Sequence, residues 1–271
     1  MYSTLRHAIF VGIMALMHRQ PKTVQIKVPH VIALFWVVKL LTTAFGESLT
    51  DYLVKVIDPV VAVAFGGVGL VIALALQFRA KKYVAWRYWL AVTMVAVFGT
   101  MAADVAHIVL GVPYAFSTAF FVIALAVVFA VWYAVERTLS IHSITTPRRE
   151  VFYWLTVLTT FALGTAAGDF TAFTLHLGFL VSGLMFTGLF IIPAIAYLRL
   201  GASAVITFWF AYILTRPIGA SFADWFGKPA SLGGLGIGDK TVSAALIVLI
   251  IAFVTYLGVT HKDETPRSHG A

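Results

Sequence analysis

"FWVVKLLTTAFGESLTD" (residues 35–51) decides the fold, because three later stretches repeat its frame. They are "YWLAVTMVAVFGTMAAD" (88–104), "YWLTVLTTFALGTAAGD" (153–169) and "FWFAYILTRPIGASFAD" (208–224). Each opens on an aromatic residue and Trp, with Gly ten residues after the Trp and Asp fifteen after it. From the composition, a given Trp meets both conditions with a chance of roughly 1 in 500. Four of the seven Trp residues do so. The chain is therefore a fourfold repeat, with units at 30–82, 83–147, 148–202 and 203–260.

Composition sets the class. Of 271 residues, 61% are hydrophobic and 11% charged, where a soluble domain carries about 25% charged residues. Mean hydropathy is +0.96. Apolar runs near 30–54, 59–78, 84–109, 114–135, 151–176, 178–198, 202–226 and 241–260 are each close to the roughly 20 residues that cross a bilayer. The expectation is an all-α membrane protein of eight transmembrane helices. Two helices per unit return the chain to its starting side, so the four repeats run parallel. The chain has no Cys, which excludes disulfides, thiolate metal sites and Cys nucleophiles. The net charge of +8 comes from short loops rather than one exposed patch, so nucleic acid is not an expected partner. Fourteen basic residues fall on one side of the expected topology and three, Lys55, Lys228 and Lys240, on the other. That bias places both termini in the cytoplasm. Residues 1–29, with the short apolar run "AIFVGIMALM" (8–17), read as an N-terminal interfacial or cytoplasmic segment. Residues 261–271 read as a disordered cytoplasmic tail.

Charge then sorts by helix. The intramembrane acids Glu47, Asp51, Asp104, Asp169 and Asp224 all lie on odd-numbered helices, as do Lys39 and Arg216. The even-numbered helices carry none. An ionisable residue inside the bilayer is costly and faces the bundle interior or a wet cavity. The first, third, fifth and seventh helices should therefore surround a polar path. Lys39 and Arg216 can neutralise two of the five acids, which leaves three to be protonated, hydrated or bound to a cation. Glu47 and Asp51, and Asp104 and His107, share helix faces by their spacing. Asp169 and His176, seven apart, nearly do. These seven residues (Glu47, Asp51, Asp104, His107, Asp169, His176 and Asp224) are the candidate metal ligands. Gly46, Gly99, Gly164 and Gly219 leave room for close helix approach or local unwinding. Trp36, Trp89, Trp154 and Trp209 sit where an aromatic belt is expected, although a cation–π role is a second reading. "GIGDKT" (236–241) reads as a Gly-rich outer loop leading into the last helix.

"GESLTDY", "GTAAGD" and "RPIGASFADW…KPASLGGLG" resemble a bacterial family of four-repeat integral membrane proteins, usually labelled only as membrane-anchored, with a repeat of unknown function. The resemblance spans about 30–260 and implies the eight-helix architecture, in a bacterial cytoplasmic (inner) membrane. It carries no activity. From the residues, the expected function is a secondary-active transporter of a divalent cation of the Mn²⁺ or Mg²⁺ kind. Oxygen ligands with imidazole and no sulfur suit such ions. No nucleotide-binding motif is present, so an ion gradient would supply the energy, with the Glu47–Asp51 pair as the proton-coupling candidate. Expected partners are lipid, the metal cation and protons, with homo-oligomerisation compatible; no cofactor beyond that cation is expected. An organic-cation exporter and, in a different class, an intramembrane metallohydrolase built on Asp104 and His107 are the competing readings. Ligands spread over four repeats fit a path better than a hydrolase centre.

Overall fold

The computed structural model describes residues 25–264, apart from residues 106 and 108–110. Eight helices follow one another: α1 (Ala33–Val56), α2 (Pro59–Phe78), α3 (Ala85–Asp104), α4 (Tyr114–Glu136), α5 (Pro147–Asp169), α6 (Gly178–Leu200), α7 (Ala204–Gly227) and α8 (Asp239–Thr260). No strand occurs among the described residues. Six of the helices, all but α1 and α3, are long and apolar enough to cross a membrane. The chain is thus a helical protein of membrane character. Helix starts follow local chemistry. Asp58 caps α2 by accepting from Val60 and Val61 N–H, and Thr146 caps α5 by accepting from Arg149 N–H, each just before a Pro at the first helical position.

The odd helices close a ring: α1 packs on α3, α3 on α5, α5 on α7, and α7 back on α1. The repeat glycines make this possible, each against the next helix of the ring. A Cβ at Gly46 would lie 2.7 Å from Ala96 Cβ, one at Gly99 3.0 Å from Phe161 Cβ, and one at Gly164 2.5 Å from Arg216 Cβ. At Gly219 it would lie 2.1 Å from Thr43 Oγ1. Ala96, Phe161, Arg216 and Thr43 each stand three residues before their own repeat's glycine. The contact is the same at all four joints, so the ring is cyclic.

Outside the ring, each even helix packs mainly on the odd helix of the following repeat: α2 on α3, α4 on α5, α6 on α7, and α8 on α1. Their outward faces are apolar and exposed, as Phe65, Phe120, Leu184 and Val248 show. Such faces suit lipid.

One end of the ring is sealed. Tyr88, Trp89, Tyr153, Trp154, Trp209 and Tyr212 are buried in edge-to-face and tilted contacts, and the Tyr88 and Tyr153 hydroxyls share a hydrogen bond of 2.5 Å. Across this end runs an extended strap, residues 25–32. Its Lys27 ammonium donates to Glu150 (2.6 Å) and to Phe78 O (3.2 Å), while Gln77 Nε2 donates to the other Glu150 oxygen (3.0 Å). Tyr83 N–H donates to Ile26 O, and His30 N–H to Asp263 O. The expected disordered tail is corrected at 261–264: Asp263 is buried against Tyr83. Residues 1–24, with the 8–17 run, and residues 265–271 lie outside the described residues.

Candidate functional site

The site builds from the ring's centre toward its unsealed end. Arg216 of α7 lies 1% exposed in the middle. Its Nη2 sits against Glu47 Oε2 in an ion pair and against the hydroxyls of Thr100 (2.6 Å) and Thr165 (2.8 Å). Glu47, Thr100 and Thr165 each directly follow their repeat's glycine. One guanidinium from the fourth repeat therefore collects the equivalent side chains of the other three. Each Thr hydroxyl also donates back to its own helix, Thr100 to Ala96 O (2.9 Å) and Thr165 to Phe161 O (3.0 Å), leaving its lone pairs for Arg216. Charge-assisted bonds of this kind make burial of the pair tolerable.

One turn further out stand the repeat aspartates. Glu47, Asp51 and Asp224 each offer a carboxylate oxygen within 4.8 Å of the others. Lys228, one residue past α7, folds back onto them as an ion pair with Asp51 and 3.7 Å from Asp224. Burial alone would pull the Lys228 amine down, but Asp224, Asp51 and Glu47 outweigh it and hold the group above the ordinary lysine range. Asp104 and Asp169 occupy the equivalent positions on α3 and α5. Both are half-buried. Neither makes a hydrogen bond or ion pair with the described residues. Immediately after them both helices loosen into π-type turns, at Val105 and His107 and at Phe170–Thr174. Such turns widen a helix and often mark functional positions. Five acids against Arg216 and Lys228 leave three negative charges when all are ionised.

The structure brings together Glu47, Asp51 and Asp224 from the predicted ligand set, with Asp104 and Asp169 beside them. The two histidines go elsewhere. His107 Nδ1 donates to Val112 O (3.1 Å) and Nε2 faces Ser117 Oγ (3.4 Å), while the ring packs on Tyr114 at 4.3 Å. That ring is spent on closing the turn into α4. His176 does not share a face with Asp169, because regular helix stops at Asp169 and the chain reverses with His176 exposed at φ +56°. Lys39 pairs with no acid. Its amine lies 3.8 Å from the Phe161 ring centroid and 4.5 Å from that of Tyr212, with no hydrogen-bond partner. Lys228 takes the second place instead. The Asp224–Lys228 spacing of four was the signal in the sequence, but Lys228 read there as an outer-side loop charge.

Of the four repeat Trp residues, Trp36 alone is not fully buried, lying half-buried against Phe190 at 5.5 Å. Trp89, Trp154 and Trp209 are buried in the seal, and Trp209 Nε1 donates to Leu139 O (2.9 Å). "GIGDKT" is structural. Leu235, Ile237 and Gly238 N–H donate to Trp225, Phe226 and Gly227 O, folding the loop back along the end of α7. Asp239 pairs with Lys55 and packs on Gly227.

A family model for a repeat of unknown function (DUF347) matches the chain four times, at residues 34–83, 87–138, 152–203 and 207–263. Neither curated proteins nor solved structures give a match.

Proposed function

The chain belongs to this repeat family, and from the carboxylates that its fourfold ring collects we propose that it is a secondary-active transporter of a hard divalent cation, of the Mn²⁺ or Mg²⁺ kind, in the bacterial cytoplasmic membrane. All eight helices span, and the sealed end, which carries the excess of basic residues, faces the cytoplasm. The observation that carries this reading is the convergence of Glu47, Asp51 and Asp224 oxygens within 4.8 Å. Three carboxylates from two ring helices form an all-oxygen donor set, which hard divalent ions prefer. Asp104 and Asp169 line the approach and concentrate cations by their charge.

Lys228 holds the place of the cation. Its ammonium neutralises Asp51 and Asp224 when no ion is present, and a metal must displace it. The exchange keeps the site from standing uncompensated inside low-dielectric surroundings, where a lone buried charge costs several kcal/mol (about 3–5 on removing one partner of a buried pair). Protons are the proposed counter-ions, and they titrate the same carboxylates. With Glu47 clamped by Arg216, the exchange is assigned to Asp51, Asp224, Asp104 and Asp169. An organic-cation path draws less support, because three of the four Trp residues are buried in the seal rather than beside the acids.

Flux in proteoliposomes tests the reading. Wild-type protein should move Mn²⁺ or Mg²⁺ when a pH gradient is imposed, and Asp51→Asn with Asp224→Asn should abolish the movement while the protein still elutes as a folded species. Equal flux in the wild type and that variant, or no flux of either ion under either gradient direction, would overturn it.

A further inference from the structure

At the sealed end, outside the ring, a cavity of about 680 Å³ lies between the start of α1, the end of α6, the start of α7 and the turn at residues 139–142. Its walls are apolar, with Trp36, Phe190 and Phe208 among them, and two histidines stand on its rim. His30 belongs to the strap and His142 to the 3₁₀ turn Ile141–Ser143. Their ring centroids are 5.9 Å apart and the ring planes are inclined by 54°. Neither ring makes a hydrogen bond or ion pair among the described residues, and both residues are exposed. We propose that His30 and His142 form a two-imidazole site for a borderline divalent cation of the Zn²⁺, Ni²⁺ or Cu²⁺ class.

The geometry fits such an ion. A metal–nitrogen bond of about 2.1 Å sets each ring centroid roughly 3.2 Å from the metal, so a tetrahedral ion asks for centroids about 5.2 Å apart. The observed separation exceeds that by less than 1 Å, within reach of a rotation of two exposed side chains. The backbones are already fixed. His30 N–H donates to Asp263 O (2.7 Å), and the turn is held by Ser143 Oγ donating to Ser140 O (2.6 Å) and by Arg149 Nη1 donating to Ser143 O (3.1 Å). Preorganised ligands cost less to assemble on binding. The cavity beside the pair leaves room for the water molecules that complete the coordination.

Imidazole favours borderline ions and an all-carboxylate set favours hard ones, so the two ends of the protein select differently. Occupancy would fasten the strap to the 139–144 turn. The site does not rest on the transport reading, and its test is separable from it. Protein in nanodiscs is titrated with Zn²⁺ by calorimetry, and Cu²⁺-loaded protein is read by electron paramagnetic resonance. Wild type should show Zn²⁺ binding and nitrogen hyperfine structure from two imidazoles. His30→Ala and His142→Ala should each weaken Zn²⁺ binding at least tenfold and reduce the nitrogen count, and Asp51→Asn with Asp224→Asn should leave the nitrogen count unchanged. If an Ala variant loses its fold, the corresponding His→Asn variant replaces it. Unchanged Zn²⁺ affinity in both histidine variants, or loss of binding only in the aspartate variant, would overturn the proposal.

Discussion

Replacing Gly219 with Ala asks whether the ring is closed as described. The added methyl would stand 2.1 Å from Thr43 Oγ1, 2.7 Å from Thr43 Cβ and 2.9 Å from Ala44 N. Thr43 cannot simply turn away, because its hydroxyl donates to Leu40 O (2.7 Å) and faces Thr215 O (3.2 Å). Giving up that hydrogen bond costs about 1 kcal/mol. Ala44 N is main chain, so α1 and α7 must also separate, and overpacking of this kind costs typically ~1–3 kcal/mol. Against this stands a helix-propensity gain of about 1 kcal/mol for Gly→Ala. The net expectation is a loss of about 1–3 kcal/mol. Gly188 on α6 and Gly258 on α8 have nothing within 4 Å of an added Cβ, so the same substitution there should stabilise by up to about 1 kcal/mol. Gly99→Ala should fall between, since its one close contact is a side-chain carbon at 3.0 Å. Reversible unfolding in mixed detergent and SDS micelles, followed by Trp fluorescence, gives the ranking. If Gly219→Ala and Gly188→Ala unfold within 0.5 kcal/mol of each other, roughly the noise of such additive comparisons, the α1–α7 joint is not packed as described.

Other outcomes follow from the same geometry. Arg216→Met should cost about 3–5 kcal/mol by stranding Glu47, and adding Glu47→Gln should recover much of that loss in SDS unfolding; simple additivity of the two would show that the pair does not interact. Lys228→Met should tighten Mn²⁺ binding about tenfold, near 1.4 kcal/mol, by removing the resident cation, and weaker binding in a calorimetric titration would refute that role. Cysteines replacing Asp104 and Asp169 should react with a charged, water-soluble thiol reagent, whereas Val157→Cys, fully buried in the ring, should not; equal protection of all three would mean that the acidic end is not open to water.

How much of this was legible in the sequence can be read residue by residue. The frame of Trp, Gly and Asp required four equivalent helices, and the confinement of charge to those helices required them to face one another, because an unpaired charge cannot face lipid. The eight helices, their order and the inner ring followed from period and composition alone. The glycines were marked as points of close approach, and each is one. Local rules reached that far because each describes a single helix and its solvent.

Partner choice was decided only in three dimensions. Lys39 and Arg216 look alike in the sequence, yet one faces Glu47 and two threonine hydroxyls and the other an aromatic ring. The difference is one of level along the helix: Lys39 stands seven residues before its repeat's glycine and Arg216 only three before its own. His176 left the Asp169 face because regular α-helix ends at Asp169 and His176 itself turns into the left-handed region. His107 was taken up by the Val112 carbonyl. Lys228 lay outside every helix and entered the site because the Gly-rich loop folds back along α7, with Gly236 N–H donating to Lys228 O (2.9 Å). Spacing along one helix tells which side chains can share a face. Which charge meets which depends on how far each helix is turned and shifted against its neighbour, and packing the whole ring sets that.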